Sequence, residues 1–144
     1  MKKISLQSGL FSVIFALASC GARHSEKEIE DAMTHYDRLI YKMDADSIAL
    51  LYTNDGDLGT VAHGRDTIRK FLSSFKNVRV LSQSSITTSI EMKDDTAYQK
   101  GTYAQVALMN GKDTLHANGT YAACWHWIPQ EGWRIKKMET QPEK

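Results

Sequence analysis

The chain has 144 residues, which is enough for one domain with a hydrophobic core and too few for two such domains. Hydrophobic residues make up 42% of the chain and charged residues 24%, the balance of an ordinary globular protein. The formal net charge is only +1 and no long run of like charge occurs, so the composition argues against a nucleic-acid partner and against a polybasic membrane-binding patch.

The first twenty residues differ from the rest of the chain. Lys2 and Lys3 precede an uncharged, mostly apolar stretch that ends in Leu17-Ala18-Ser19-Cys20. A basic start, a short apolar run and small residues are typical of a secretory signal peptide, and the final cysteine resembles the cleavage box of bacterial lipoproteins. This resemblance implies a signal peptide over residues 1–19, lipid on Cys20, and a protein anchored to a membrane of the bacterial cell envelope, facing the periplasm or the exterior. The alternative is an ordinary secretory signal that is cleaved nearby.

The chain contains only two cysteines, so no disulfide framework is expected. If Cys20 carries lipid, Cys124 has no thiol partner. We expect Cys124 to be a small buried hydrophobic residue, because no neighbour in the sequence would obviously lower its pKa.

A long amphipathic helix is predicted after a short tether over residues 20–25. Ser25 and Glu28 form the pattern of a capping box, in which each residue satisfies backbone groups of the other. Apolar residues at spacings of three and four then predict a helix from about Glu26 to Met43.

Two shorter helices follow. Asp44 can cap a helix that reaches Tyr52, and Asn54-Asp55-Gly56 is expected to end that helix as a turn. A third helix, from about Arg65 to Phe75, is predicted from the apolar residues on one of its faces.

The second half of the chain alternates with a period of two, which predicts strands. Asn110-Gly111 is a strong signal for a hairpin between the two longest strands. The predicted strands run from about Val78 to Met92, Ala97 to Met109, Thr114 to Ile128 and Trp133 to Thr140. Helices followed by antiparallel strands predict an α+β domain over residues 26–144, with the helices packed on one face of the sheet.

Alternate residues of the two long strands differ in polarity, which indicates the face that contacts the helices. We expect the more apolar residues to face the helices and the polar ones to face outward, where a wet dimer interface could form. The expected inner face comprises Thr102, Ala104, Val106, Leu108, Leu115, Ala117, Gly119, Tyr121, Ala123, Trp125 and Trp127. The expected outer face comprises Gln99, Gly101, Tyr103, Gln105, His116, Asn118, Thr120, Ala122, Cys124 and His126.

Three local motifs, in this order, resemble the nuclear transport factor 2-like superfamily, which includes SnoaL-like polyketide cyclases and ketosteroid isomerases. They are the stretch from Asp44 to Gly56 with its Leu51-Tyr52 pair, the stretch from Gly64 to Phe71, and Gly132-Trp133-Arg134-Ile135. The resemblance covers nearly all of the mature chain. It implies a cone of three helices wrapped by a strongly curved antiparallel sheet, a pocket inside the cone, and a homodimer formed through the sheet.

Acidic residues are concentrated between Asn54 and Asp66, which raises the possibility of a metal site. As a calcium loop starting at Asp55, it would place Gly59 at a ligand position and Thr60 where glycine is required, so calcium is not expected. None of the five histidines shows a paired ligand spacing. We therefore expect neither a metal nor another cofactor, and the resemblance implies that this segment runs along the rim of the cone as a short strand before the third helix.

The resemblance to ketosteroid isomerases implies catalytic candidates but not a complete set. Tyr36 aligns with the tyrosine that stabilises the oxyanion in that family, and the alternative for Tyr36 is a core residue. The base aligns near Thr60, which has no useful basicity, and the second donor aligns near Ala123. Asp57 and His63 flank the base position and could substitute for it.

Three functions are therefore compatible with the sequence. The first is a module that binds a small amphipathic organic molecule in the cone, the second an isomerase, cyclase or dehydratase, and the third a dimerising scaffold without a ligand. The missing base and second donor count against the enzyme. The residues expected to line the pocket are Tyr36, Tyr52, His63, Tyr121, Ala123 and Trp125.

Overall fold

The computed structural model describes residues 23–144 as three helices packed against one six-stranded sheet. The helices are α1 (Glu26–Lys42), α2 (Ala45–Leu50) and α3 (Arg65–Ser73). The strands are β1 (Tyr52–Leu58), β2 (Ala62–His63), β3 (Val78–Lys93), β4 (Thr96–Met109), β5 (Asp113–Ile128) and β6 (Gly132–Pro142). This confirms the predicted α+β class. The predicted signal peptide and Cys20 lie outside the described residues.

The strands are arranged in the order β2-β1-β6-β5-β4-β3. Every pairing is antiparallel except the one between β1 and β6, which is parallel, so the sheet is mixed rather than purely antiparallel. Register shifts interrupt the β3–β4 pairing twice and the β5–β6 pairing once. Because an extra residue bends its strand and increases the local twist, these bulges account for the curvature of the sheet around the helices.

The core lies between the helices and the concave face of the sheet. α1 contributes Ile29 and Met33, α2 contributes Ile48, and the sheet contributes Trp125 and Ile135, all of them buried. The side chain of Asp44 accepts a hydrogen bond from the backbone amide of Ser47, as predicted for the start of α2.

The local prediction of a turn at Asn54-Asp55-Gly56 is wrong, whereas the short strand that the resemblance implies for this segment is present. α2 ends at Leu50, two residues before Tyr52, and Asn54-Asp55-Gly56 lies in strand β1 rather than in a turn. β1 is held in the sheet by pairing with β6, and the ammonium of Lys136 lies 2.7 Å from the carboxylate of Asp55. The turn comes later, at Gly59, whose φ is +52°.

The start of α1 also differs from the prediction. The Ser25 side chain makes no capping hydrogen bond, and the Glu28 carboxylate instead accepts from the indole of Trp133 at 2.9 Å. His24, in the predicted tether, is packed between Trp127 and Trp133, with ring centroids 4.4 and 4.9 Å away. The described end of the tether is thus fastened to the domain.

The inner face of β5 was predicted correctly, but that of β4 was not. On β4 the buried residues are Ala97, Gln99, Gly101 and Ala107, the parity that was expected to face outward. The reason is the hairpin register, in which Gln99 pairs with Ala123, so that odd-numbered residues of both strands share one face. The whole set Thr102, Ala104, Val106 and Leu108 therefore lies on the opposite face to Tyr121 and Trp125.

Candidate functional site

A cavity of about 250 Å³ lies inside the cone, between α1 and the concave face of strands β3 to β6. One part of its wall is apolar and the other carries hydroxyl and amide groups. The apolar residues are Met33, Ile40, Ala117 and Met138. The polar residues are Tyr36, Gln83, Ser85, Tyr103, Gln105, Tyr121 and Thr140.

Tyr36 enters the cavity from α1 and lies close to a second phenol, Tyr52, at the start of β1. The Tyr52 side chain is fully buried, and its hydroxyl makes no well-formed hydrogen bond among the described residues. Burial raises the pKa of Tyr36, an effect partly offset by the Tyr52 hydroxyl and increased by the charge of Asp37. Burial also raises the pKa of Tyr52 well above its ordinary value, and the neighbouring Tyr36 adds to this.

Tyr121 enters the cavity from β5 and belongs to a chain of hydrogen bonds below it. Its hydroxyl lies 3.3 Å from the Thr87 hydroxyl, which accepts from the amide of Gln99 at 2.9 Å. The Gln99 carbonyl in turn accepts from the indole N–H of Trp125 at 3.0 Å. Gly101 makes room for this arrangement, because a Cβ at that position would lie 2.6 Å from the Tyr121 ring.

The carboxylate of Asp37 orients the polar wall from the helix side. Its Oδ1 accepts from the Gln83 amide at 2.9 Å and from the Ser85 hydroxyl at 2.8 Å. The carbonyl of Gln83 then accepts from the Gln105 amide at 2.9 Å. These bonds hold two amides and one hydroxyl in fixed positions on the wall.

The phenols are neutral hydrogen-bond donors at physiological pH. Burial raises the pKa of Tyr121 as well, partly offset by its hydrogen bond with Thr87 and increased by Asp37. A protonated phenol can donate to a carbonyl or hydroxyl oxygen. Among residues 23–144, no carboxylate or imidazole lines the cavity, so the wall there provides donors but no strong base.

The structure brings together only part of the predicted site. Tyr36 and Tyr121 line the cavity, whereas Tyr52, Ala123 and Trp125 are buried in the core beneath it. Two further candidates, Asp57 and His63, lie outside the cavity on the β1–β2 hairpin, where His63 Nδ1 is 2.5 Å from Asp57 Oδ1. The His63 side chain is 75% exposed. Thr60, which aligned with the family base, lies in the exposed turn of the same hairpin.

Sequence reasoning missed most of the polar wall. Asp37 stands next to Tyr36 but off the apolar stripe of α1, and no local signal connects it with β3. In the sequence, Gln83 and Ser85 fall on the polar face of β3, opposite to Val80. The bulge between Val80 and Ser82 turns them toward the cavity. Gln105 was assigned to the outer face.

The described residues show no cluster of three or more histidine, cysteine, aspartate or glutamate side chains that could hold a metal ion. Within the same part of the chain, no helix is both long and apolar enough to cross a membrane.

Comparisons with known proteins agree with this geometry. The model of the SnoaL-like domain matches residues 22–139. A ketosteroid isomerase-like protein from Erwinia carotovora atroseptica superposes with a TM-score of 0.72 at 18% identity, covering 82% of this chain and 95% of that one. A nuclear transport factor 2-like superfamily protein from Salmonella enterica serovar Typhimurium gives a TM-score of 0.68 at 17% identity, covering 82% and 90%.

A third similar structure is described as having a cystatin-like fold. It is a nuclear transport factor 2-like protein from Novosphingobium aromaticivorans, with a TM-score of 0.65 at 17% identity and 79% of both chains covered. At these identities the similarity shows the fold alone. No match was found among curated protein sequences.

Proposed function

The chain belongs to the SnoaL-like domain family, and from that premise we propose that it binds a small amphipathic organic molecule in the cavity. The observation that carries the proposal is the divided wall, with apolar side chains such as Met33 and Met138 on one part and Tyr36, Tyr121 and Gln83 on the other. A planar apolar body with one or two hydroxyl or carbonyl groups would match both parts.

The polar wall is preorganised for such a ligand. Asp37 holds Gln83 and Ser85, and Thr87 holds Tyr121, so these groups need little reordering when a ligand binds. Because the phenols keep their protons, they favour an oxygen acceptor over a cation.

Titration calorimetry with 1-naphthol, a planar ring system with one hydroxyl, tests the proposal. We expect saturable binding that Tyr36→Phe weakens by about 0.5–1.5 kcal/mol, through the loss of one hydrogen bond, and that Ala117→Trp abolishes by filling the cavity. His63→Ala, on the exposed hairpin, is the matched control and should bind like the parent. Absence of binding for both 1-naphthol and 4-hydroxyacetophenone, or equal affinity in Ala117→Trp, would contradict the proposal.

A second candidate function is isomerase- or dehydratase-type catalysis, favoured by the neighbouring phenols of Tyr36, which is partly buried, and Tyr52, which is fully buried. Such a pair could polarise a substrate carbonyl, and Asp37 is the nearest carboxylate to the polar wall. One structural neighbour is named ketosteroid isomerase-like. Exchange of the protons next to the carbonyl of a bound ketone, followed by NMR in D₂O, would support catalysis if Tyr36→Phe and Asp37→Asn each slow it. A rate equal to that without protein would argue against it.

We further propose that lipid on Cys20 anchors the domain to a membrane of the bacterial cell envelope. Cys20→Ser should move the protein from the membrane fraction to the soluble fraction, since the acyl chains supply the membrane affinity. If the processed variant stays in the membrane fraction, the anchoring proposal is wrong.

A homodimer through the outer face of the sheet is a related proposal. On β5 this face carries small, mostly polar residues, among them Asn118, Thr120 and Ala122, which suit a wet interface. Sedimentation equilibrium should give twice the monomer mass, and Ala122→Arg should reduce it. A monomer at all concentrations would exclude the dimer, and with it the scaffold function.

A further inference from the structure

The cavity adjoins a second concave region, where β3 begins and β4 ends. Ile40 from α1 and Gln105 from β4 line both spaces, so these two side chains form the boundary between them. The second region, which we call the end cleft, has a volume of about 220 Å³. It lies between the last turns of α1 and α3 and the ends of β3, β4 and β5.

The end cleft differs from the cavity in its chemistry. Beyond the shared Ile40 and Gln105, its lining is apolar throughout: Met43, Leu72, Phe75, Val78, Val80, Ala107, Met109 and Leu115. The one polar side chain, Gln105, donates its amide hydrogen to Gln83 on the cavity side. The end cleft therefore provides surface for hydrocarbon and no partner for a polar group.

The end cleft also exposes apolar side chains that a folded domain normally covers. Leu115 is 49% exposed although it belongs to the face of β5 that points toward the helices, and Phe75, just after the end of α3, is 39% exposed. Apolar surface concentrated beside a binding cavity is typical of a region that a ligand completes.

We propose that the end cleft receives an alkyl tail of the same ligand whose polar ring occupies the cavity. The ligand class is then a hydroxylated or carbonyl-bearing ring with an alkyl substituent, which passes between Ile40 and Gln105. This inference rests on the proposed function, because it assigns the ring to the cavity. The cavity alone falls just below the size of usual small-molecule sites, about 300–1,000 Å³, whereas the two spaces together fall within that range.

The test is a series of 4-alkylphenols, with 4-ethylphenol, 4-butylphenol and 4-hexylphenol titrated calorimetrically. Burial of each added methylene should tighten binding by about two- to fourfold, the upper value applying to full burial. Ala107→Phe, which fills the end cleft, and Leu115→Gln, which makes it polar at a half-exposed position, should reduce this gain. Both should leave the affinity for 4-ethylphenol nearly unchanged. Ile86→Gln is the matched control, because Ile86 is an exposed apolar residue outside both spaces.

The outcomes separate this inference from the proposed function. If 4-ethylphenol and 1-naphthol bind but chain length adds no affinity, or adds the same in Ala107→Phe as in the parent, the end cleft does not hold the tail and the cavity proposal still stands. If none of these compounds binds, the proposed function fails and this inference fails with it. If Leu115→Gln dissociates an oligomer without changing the gain, the end cleft is a contact between copies of the chain.

Discussion

The sequence pattern predicts that Gln99 lies on the outer face, where a substitution would cost little. Replacing Gln99 by methionine should nevertheless destabilise the domain substantially. Gln99 is 1% exposed, and its carbonyl is the acceptor for the indole N–H of Trp125, which is also 1% exposed. Methionine has a similar volume, so the change removes the acceptor without opening a large cavity. A buried donor left without a partner costs about 1–3 kcal/mol. Thr87 loses one partner but keeps the Tyr121 hydroxyl at 3.3 Å, so we expect a total loss of about 2 kcal/mol.

Urea denaturation followed by tryptophan fluorescence measures this loss, provided that the slope of the transition is unchanged. Gln105→Met is the matched control, because Gln105 is on the same face of the same strand and is only half-buried. Its amide donates to Gln83, which keeps a bond to Asp37, so its removal should cost about 1 kcal/mol or less. If Gln99→Met costs no more than Gln105→Met, the hydrogen-bond chain beneath the cavity is not a major stabilising element.

The free energy of unfolding should fall as the pH rises above about 10, because burial raises the pKa of Tyr52 and the Tyr52 phenol therefore loses its proton in the unfolded chain at a lower pH than in the folded one. Tyr52→Phe should flatten this fall in thermal melts measured between pH 8 and 11. An unchanged slope would contradict the role of Tyr52. Gly101→Ala should lower the melting temperature more than Gly111→Ala, since a Cβ at Gly101 would lie 2.1 Å from a backbone oxygen of β3 whereas Gly111 has open space and only a strained φ. Cys124 is only half-buried, not fully buried as expected; this burial raises the pKa of its thiol, which should react more slowly with a soluble disulfide reagent at pH 8 before urea is added than after, and equally rapid labelling of the native protein would contradict this. His24→Ala should cost about 1–2 kcal/mol, through the loss of its contacts with two tryptophans and Glu28, and a change below 0.5 kcal/mol would show that the end of the tether is not fastened.

Local signals predicted the elements of this fold well. The apolar spacing of α1, the cap at Asp44 and the Asn110-Gly111 hairpin are each determined by a few neighbouring residues. In the structure Asn110 and Gly111 both have positive φ, as that turn requires. The local pattern did not indicate strand β1, which only the resemblance implied, because its acidic residues have low β-propensity and are held by pairing with β6, a contact between distant parts of the chain.

The faces of the strands depend on information that is not local. A bulge shifts parity by one residue, so Ile86 and Thr88, which share the parity of Val80 in the sequence, lie on the outer face after the first bulge in β3. No residue type in that segment marks where the bulge falls. The register of β4 against β5 follows from the Asn110-Gly111 hairpin and places the odd-numbered residues of β4 on the inner face. The apolar pattern of β4 instead favours the even-numbered residues.

The apolar pattern of β4 predicts the wrong inner face, because the residues on the true inner face belong to the candidate site and are polar or small. A strand that only built a core would bury valine or leucine at positions 99, 101 and 105. This strand instead buries Gln99, which supports the wall, and Gly101, which makes room for Tyr121, and it half-buries Gln105, which forms the boundary with the end cleft. Polar and small residues on the concave face make that face less apolar than usual. On β4 they make it less apolar than the outer face. The failure of the hydrophobic pattern on β4, next to strand β5 where it holds, is therefore itself an indication of where a ligand would bind.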